Sequence, residues 1–528
     1  MFRTYLLNLG LALLTALPVA AQMASPATTP LDVAGVDAVV ARTLKEFDVP
    51  GIAVAVVKDG QVVMAKGYGV RSLNTKVPVD ANTLFGVASN TKAFTAAALG
   101  LLVEAGKLRW DDKVTDYIPE FRLYDPYVTA EFTIRDLLTH RSGLGLGVGD
   151  LMFFPDSTDF TIKDVIHNLR YFRPVSSFRS KYDYDNNLYL VAGEIVARVS
   201  GQPWGDFVEA RLLKPLGMTH SAPNYGRLSD LSNVIDGHAS FDGKVHVVRR
   251  DLGTVGAAAG GLYTSVNELS LWVRMLLGGP GAPAPLLSPA VQREMWTPQT
   301  ILPVSPAPSP YNTHFAAYGL GFFLRDVRGY KEVWHTGGEV GMVTKVTMLP
   351  ELHLGIIVLT NQEVGAAFTA VTNHIEDHYL GLTGLDRVQE MVDLTKARRA
   401  GADQTMDAVL KQVAVAQKAS KKPDYSPYVG SYRDPWLGEV TVYTQGKDLW
   451  LKAKRSPRLR GQLLPYRGST YVVRWRDRSF NADSYAAFML DEQGNAASIK
   501  MKPISPLTDF SYDFQDLDLQ RVAANLAH

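Results

Sequence analysis

The sequence predicts an α+β protein: one sheet completed by both ends of a first domain, with helices packed on it and a helical lobe inserted. A small antiparallel barrel or sandwich follows at the carboxy terminus. Apolar, β-branched strand patterns stand at 52–57 and 62–65 and return at 345–349 and 355–359. Between about 110 and 325 the pattern changes to helices broken by Gly-, Pro- and aromatic-rich loops. Strands at both ends with helices between them fit one sheet carrying an insertion. From 425 to 519, short alternating segments such as Glu439-Val440-Thr441-Val442-Tyr443 and Tyr471-Val472-Val473-Arg474-Trp475 are separated by turns such as Gln445-Gly446-Lys447. That spacing is typical of a small all-β module.

Residues 1–21 read as a secretory signal peptide: a positive start at Arg3, an apolar run over 6–17, and Val19-Ala20-Ala21 before Gln22. The run is too short to cross a bilayer, so no stable membrane span is expected after signal cleavage. Val33, Val36, Val39, Val40 and Leu44 have helical spacing. Asp59-Gly60 then joins two strands as a tight turn. The stretch 91–104 is apolar nearly all round and stops at Gly106, the mark of a buried helix. A further helix is expected at 366–379, closing a first domain that spans 30–382. Residues 383–423 are charged and helix-prone, a helical linker, and 424–528 form the last domain.

The 528 residues are 46% hydrophobic and 20% charged, enough for deep cores in more than one domain. Fifty-four basic residues against 53 acidic ones leave a net charge of +1 and no basic stripe, so nucleic acid is not an expected partner. Cysteine is absent, which removes thiol nucleophiles, Cys-ligated metals, disulfides and a lipidated amino terminus. With the signal, this leads to a periplasmic or secreted location. No phosphate- or dinucleotide-binding glycine loop is present. His374 and His378 are four apart but lack the glutamate and third ligand of a zinc site, so no metal or cofactor is expected. Oligomeric state leaves no signal in the sequence.

Ser89-Asn90-Thr91-Lys92 opens the buried helix. Residues three apart share a helix face, so Lys92 can reach the Ser89 hydroxyl. A lysine whose pKa is lowered by burial can take a serine proton. Alone, the pair fits a serine helix cap followed by a surface lysine better than a catalytic pair. Its apolar setting, Phe85-Gly86-Val87-Ala88 before and Ala93-Phe94 after, makes an idle charge costly. Tyr184 and Asn186 precede an apolar helix over 188–199 and fit either proton transfer with amide binding or a helix cap. Trp334-His335-Thr336-Gly337-Gly338 fits either an oxyanion-binding backbone or a glycine turn.

In this order, Ser89-x-x-Lys92, Tyr184-Asp185-Asn186 and His335-Thr336-Gly337 resemble the three motifs of the penicillin-recognising serine hydrolase superfamily. That group includes class C β-lactamases, DD-peptidases, D-aminopeptidases and class VIII esterases. The stretches 133–144 and 259–265 are similar as well, and the resemblance spans about 30–380. It implies a β-lactamase/DD-peptidase-like antiparallel sheet flanked by helices with an inserted helical lobe. It also implies Ser89 as nucleophile, with Lys92 and Tyr184 sharing base and acid work. The backbone N–H groups of Ser89 and Gly338 would form the oxyanion hole, Asn186 would orient the substrate amide or the Lys92 ammonium, and with His335, Thr336 and Gly337 it would line the site for a small-molecule or peptide substrate. The carboxy-terminal segment resembles a lipocalin-like β-barrel through Tyr428-Val429-Gly430-Ser431-Tyr432.

His335 stands where many relatives have lysine. A free histidine is mostly uncharged at about pH 7.5 and holds a substrate carboxylate poorly. Within the family, a histidine here resembles D-aminopeptidase-like and related serine peptidases and some esterases, which implies a D-aminopeptidase-like peptidase, amidase or esterase. A β-lactamase or DD-carboxypeptidase is the alternative, and a non-catalytic penicillin-binding sensor is the rival from another class.

Overall fold

A computed structural model describes residues 30–250, 253–419 and 424–522, so the signal segment 1–21 lies outside the described residues. The first domain is built on β1 (Gly51–Lys58), β2 (Gln61–Gly69), β3 (Thr300–Leu302), β4 (Ala316–Tyr318), β5 (Phe323–Val327), β6 (Tyr330–Glu339), β7 (Met342–Leu349) and β8 (Leu354–Thr360). They form one sheet in the order β2-β1-β8-β7-β6-β5-β4-β3, and every pairing is antiparallel. The amino-terminal hairpin thus pairs through β1 with β8, the last strand of the domain.

Alternation along β1 explains why both sheet faces are covered. Ile52, Val54 and Val56 enter a core shared with α1 (Val33–Glu46) and α5 (Gly365–Tyr379). Ala53, Ala55 and Val57 enter the other core, which holds α2 (Thr91–Glu104), α3 (Asn187–Ser200) and α4 (Val266–Leu277). Successive side chains of a strand point to opposite faces, so a continuous apolar run implies burial on both. Asp59 and Gly60 both adopt positive φ, 50° and 77°, making the two-residue turn between Lys58 and Gln61.

The region read as mainly helical up to 325 includes the edge strand β3 and its neighbour β4, and β6 begins before the first returning strand expected at 345. The three-residue strands are too short to show a period of two. β6 carries Gly337 and Gly338, which resemble a turn in sequence.

A long helix, α6 (Arg387–Ala419), leads to a closed barrel of β9 (Gly430–Asp434), β10 (Gly438–Gln445), β11 (Asp448–Ala453), β12 (Arg460–Arg467), β13 (Thr470–Trp475), β14 (Ser484–Leu490), β15 (Ala496–Pro503) and β16 (Leu519–Arg521). Closure leaves no free sheet edge. Val409 and Val413 of α6 pack on Leu464, Val472 and Ile504 of the barrel wall. Trp436 and Trp475 are buried, whereas Trp450 is half-buried beneath the Arg460 guanidinium.

The barrel is docked on the helical lobe. Phe172 meets Trp436 edge-on at 5.4 Å, and the Asn168 amide donates to the Trp436 carbonyl at 3.1 Å. Arg455 pairs with Asp159 at 2.6 Å and Asp164 at 3.1 Å, and Arg458 pairs with the buried Asp156. One apolar core runs through both units.

Candidate active site

Ser89 stands in a short turn leading into α2, between Ala88, whose φ is +43°, and Asn90. A left-handed non-glycine residue is strained, and such strain is held only by firm surroundings. Here α2 supplies them, with eleven of its fourteen residues buried. Ser89 stays partly exposed, on the wall of a cavity of about 490 Å³.

Lys92 is fully buried, and its Nζ makes three hydrogen bonds: to Ser89 Oγ at 2.9 Å, Asn186 Oδ1 at 2.8 Å and the Ala259 carbonyl at 2.9 Å. Burial pushes its pKa down to about 7, against the pull of Asp150 and Asp185. As a neutral amine it would donate to the two fixed oxygens and turn its lone pair to the Ser89 hydroxyl.

Tyr184 places its ring 4.8 Å from Lys92 Nζ and interacts with the Ser89 hydroxyl. Burial pushes its phenol well above the usual range, so it stays protonated. Asn186 uses both ends of its amide inside the protein, since Nδ2 donates to Asp150 Oδ2 at 2.8 Å. Its Oδ1 thus faces the Lys92 amine, one of the two roles the resemblance implies, and the residue also lines the cavity. Asp185, between the two, accepts from the Leu188 N–H at 3.4 Å as a helix cap does. His140 Nδ1 accepts from the Asp185 N–H at 3.0 Å, and its ring lies 4.2 Å from that of Tyr184. The cap and the chemical readings of this segment therefore coexist in neighbouring residues.

β6 forms the opposite wall. A Cβ on Gly337 would stand 2.1 Å from the Val87 carbonyl oxygen, so only glycine lets the strand approach the Ser89 turn. Gly338 is exposed to the cavity, and a Cβ there would meet nothing nearer than 3.9 Å. Thr336 lines the cavity as well. His335, expected to contact substrate, is only 2% exposed and has both ring nitrogens engaged. Nδ1 meets the Thr336 carbonyl at 2.5 Å, and Nε2 meets the Tyr318 hydroxyl at 3.0 Å. A carbonyl can only accept, so Nδ1 carries the proton and Nε2 accepts from Tyr318. Burial and nearby Lys92 push its pKa down to about 3, leaving it neutral.

The family model for beta-lactamase matches residues 36–380. The chain belongs to the beta-lactamase family. A model for a domain of unknown function, DUF3471, matches residues 415–521, the end of α6 and the barrel. The unguisins hydrolase ungD of Aspergillus violaceofuscus is 30% identical over 459 residues, covering 81% of this chain and 79% of that protein. Protein flp of Staphylococcus aureus is 25% identical over 330 residues, 62% of each chain. Among solved structures, the octameric penicillin-binding protein homologue from Pyrococcus abyssi superposes with a TM-score of 0.60 at 21% identity. It covers 93% of this chain and all (100%) of its own. A class C beta lactamase from Rhodobacter sphaeroides gives 0.53 at 21% identity, over 65% of this chain and 99% of its own.

Within this beta-lactamase-family site, three features carried no sequence signal of their own. Asp150 sits behind Asn186, Tyr318 behind His335, and Asp509-Phe510-Ser511 of the barrel lines the cavity. Among the described residues, no lysine or arginine lines the cavity, whereas the carboxylates Glu339 and Asp509 do.

Proposed function

We propose that this chain is a serine hydrolase that forms an acyl ester on Ser89 and releases it to water. Its substrates are amides, peptides or esters whose acyl part is neutral or cationic, in the manner of a D-aminopeptidase or esterase. The observation that carries this reading is the Lys92 environment. A buried amine with a pKa of about 7 has two donors fixed on Asn186 and Ala259 and its remaining position on Ser89 Oγ.

In this mechanism the Ser89 proton moves to Lys92 as Oγ attacks the substrate carbonyl. The backbone N–H groups of Ser89 and Gly338 receive the developing oxyanion. Tyr184, protonated in the resting site, gives its proton to the leaving nitrogen or oxygen and recovers one from Lys92. Water then repeats the sequence on the ester, with Lys92 again as base.

The cavity charge favours this substrate class over penicillins or a terminal carboxylate. His335 is neutral with both nitrogens engaged, and among the described residues the cavity is lined by the carboxyl groups of Glu339 and Asp509 and by no lysine or arginine. A panel of D- and L-aminoacyl amides, short acyl esters and a chromogenic cephalosporin tests it, with Ser89→Ala as control. Neutral or amine-bearing substrates should be cleaved fastest. Preference for the cephalosporin would overturn the substrate assignment, and acylation without release would make the protein a sensor.

A further inference from the structure

We propose that Ser511, in the β15–β16 connection of the barrel, is a positioning residue of the hydrolase that orients Lys92 through Asp150 and Asn186. The proposal rests on the reading of Lys92 as the base for Ser89.

The chain of contacts is continuous. Ser511 Oγ donates to Asp150 Oδ2 at 2.8 Å, and Asn186 Nδ2 donates to the same oxygen at 2.8 Å. Asn186 Oδ1 then accepts from Lys92 Nζ at 2.8 Å. An amide has one donor end and one acceptor end, so its orientation is set by what lies behind it. Turned over, the Asn186 oxygen would face the Asp150 carboxylate, and its NH₂ group would face the amine. Asp150 therefore fixes which end of Asn186 meets Lys92, and Ser511 helps fix Asp150.

The barrel also holds the segment that carries Asp150. Asp513 accepts from the N–H groups of Gly149 at 2.6 Å and Leu151 at 3.2 Å, one on each side of it. Phe510 lies edge-on to Tyr184 at 5.7 Å and sits against Gly147, whose φ is +69°. A Cβ at Gly147 would stand 2.6 Å from the Phe510 ring, so glycine is what lets the barrel segment seat. Asp150 is fully buried, and its Oδ1 has no hydrogen-bond partner, so its two bonds through Oδ2 define its placement. A beta-lactamase-type domain without the barrel would supply only one of them.

Electrostatics follow the same path. The groups facing Lys92 are Asp150 and Asp185, the rings of Tyr184 and Tyr189, and the neutral imidazoles of His140 and His335. Burial, with the carboxyls of Asp185 and Asp513 nearby, raises the Asp150 carboxyl well above its usual range, and the bonds from Asn186 and Ser511 and the charge of Lys92 pull it back down. Without the Ser511 hydroxyl, Asp150 takes up a proton more readily. Lys92 then loses a nearby negative charge and gives up its own proton at lower pH.

The test uses the full chain and follows fluorophosphonate labelling of Ser89 and acyl-ester turnover from acid to alkaline pH. In Ser511→Ala the acid limb should move down by about one pH unit. The plateau kcat should fall about tenfold or more with KM little changed. Asp150→Asn should move the limb the same way while keeping more of the plateau, because an amide oxygen can still accept both bonds. Ser511→Thr, which keeps the hydroxyl, should restore limb and plateau. A wild-type limb in Ser511→Ala overturns the proposal. So does an equal loss at every pH that Ser511→Thr fails to restore, which is the mark of barrel detachment. If wild type is not labelled at Ser89 at all, the hydrolase reading itself fails, and that outcome is separate from the others.

Discussion

Lys92 Nζ lies 2.9 Å from Ser89 Oγ, while its other two bonds end on Asn186 Oδ1 and the Ala259 carbonyl, oxygens held by separate helical segments. An ammonium can satisfy all three as a donor. A neutral amine can satisfy them only by accepting a hydrogen bond from the Ser89 hydroxyl while donating to the other two. In the proposed mechanism, protonation of Lys92 thus decides whether the serine is activated.

The rate of Ser89 acylation should accordingly rise with pH through a single limb centred near the Lys92 value of about 7 and level off above it. The sign follows from the amine being active only when deprotonated. His335, at about 3, should add no limb near neutrality. Stopped-flow labelling across pH measures this, and a rate that falls as pH rises through 7 would speak against Lys92 as base.

Asn186→Leu should lower kcat by about 10²–10³-fold with a smaller effect on KM, since its amide is spent on Lys92 and Asp150 and not on substrate. A large rise in KM at unchanged kcat would instead favour the other role that the resemblance implied for Asn186, orienting the substrate amide. Steady-state kinetics on a short acyl ester separates the two.

Gly337→Ala and Gly338→Ala should behave differently although the residues adjoin. The first puts a methyl 2.1 Å from the Val87 oxygen, against a nearest contact of 3.9 Å for the second. Gly337→Ala should cost about 1–3 kcal/mol of stability and most activity. Gly338→Ala should melt near wild type. Thermal unfolding of both variants checks this.

His335→Lys should lose the bonds to Tyr318 and Thr336 and bring a cation to a cavity wall that has none among the described residues. Stability should drop by about 1–3 kcal/mol. Cleavage of carboxylate-bearing substrates should gain relative to neutral esters. An unchanged ratio would contradict the charge argument for the substrate class.

Ser89 and Lys92 were legible because a helix brings residues three apart together, and a charge in an apolar helix stands out. The strand 52–57 and the Asp59-Gly60 turn were legible for equally local reasons. The second and third motifs were ambiguous by spacing alone, and family likeness grouped them with the first. Asp150 and Ser511 could not be read, because they meet across 361 positions of sequence and neither has a periodic or compositional signature. The state of His335 was out of reach too. Its neutrality follows from burial and from nearby Lys92, and the Tyr318 hydroxyl that engages its Nε2 arrives from another strand of the sheet. Gly337 and Gly338 resemble a turn, and only the proximity of Val87 explains a glycine within β6.

The most direct measurement is the intact mass of the protein quenched during turnover of a slow acyl ester, followed by peptide mapping. One acyl group on Ser89, absent in Ser89→Ala and depleted in Lys92→Met, is the expected result. Turnover that survives Ser89→Ala, or an acyl group on any other residue, would contradict the account.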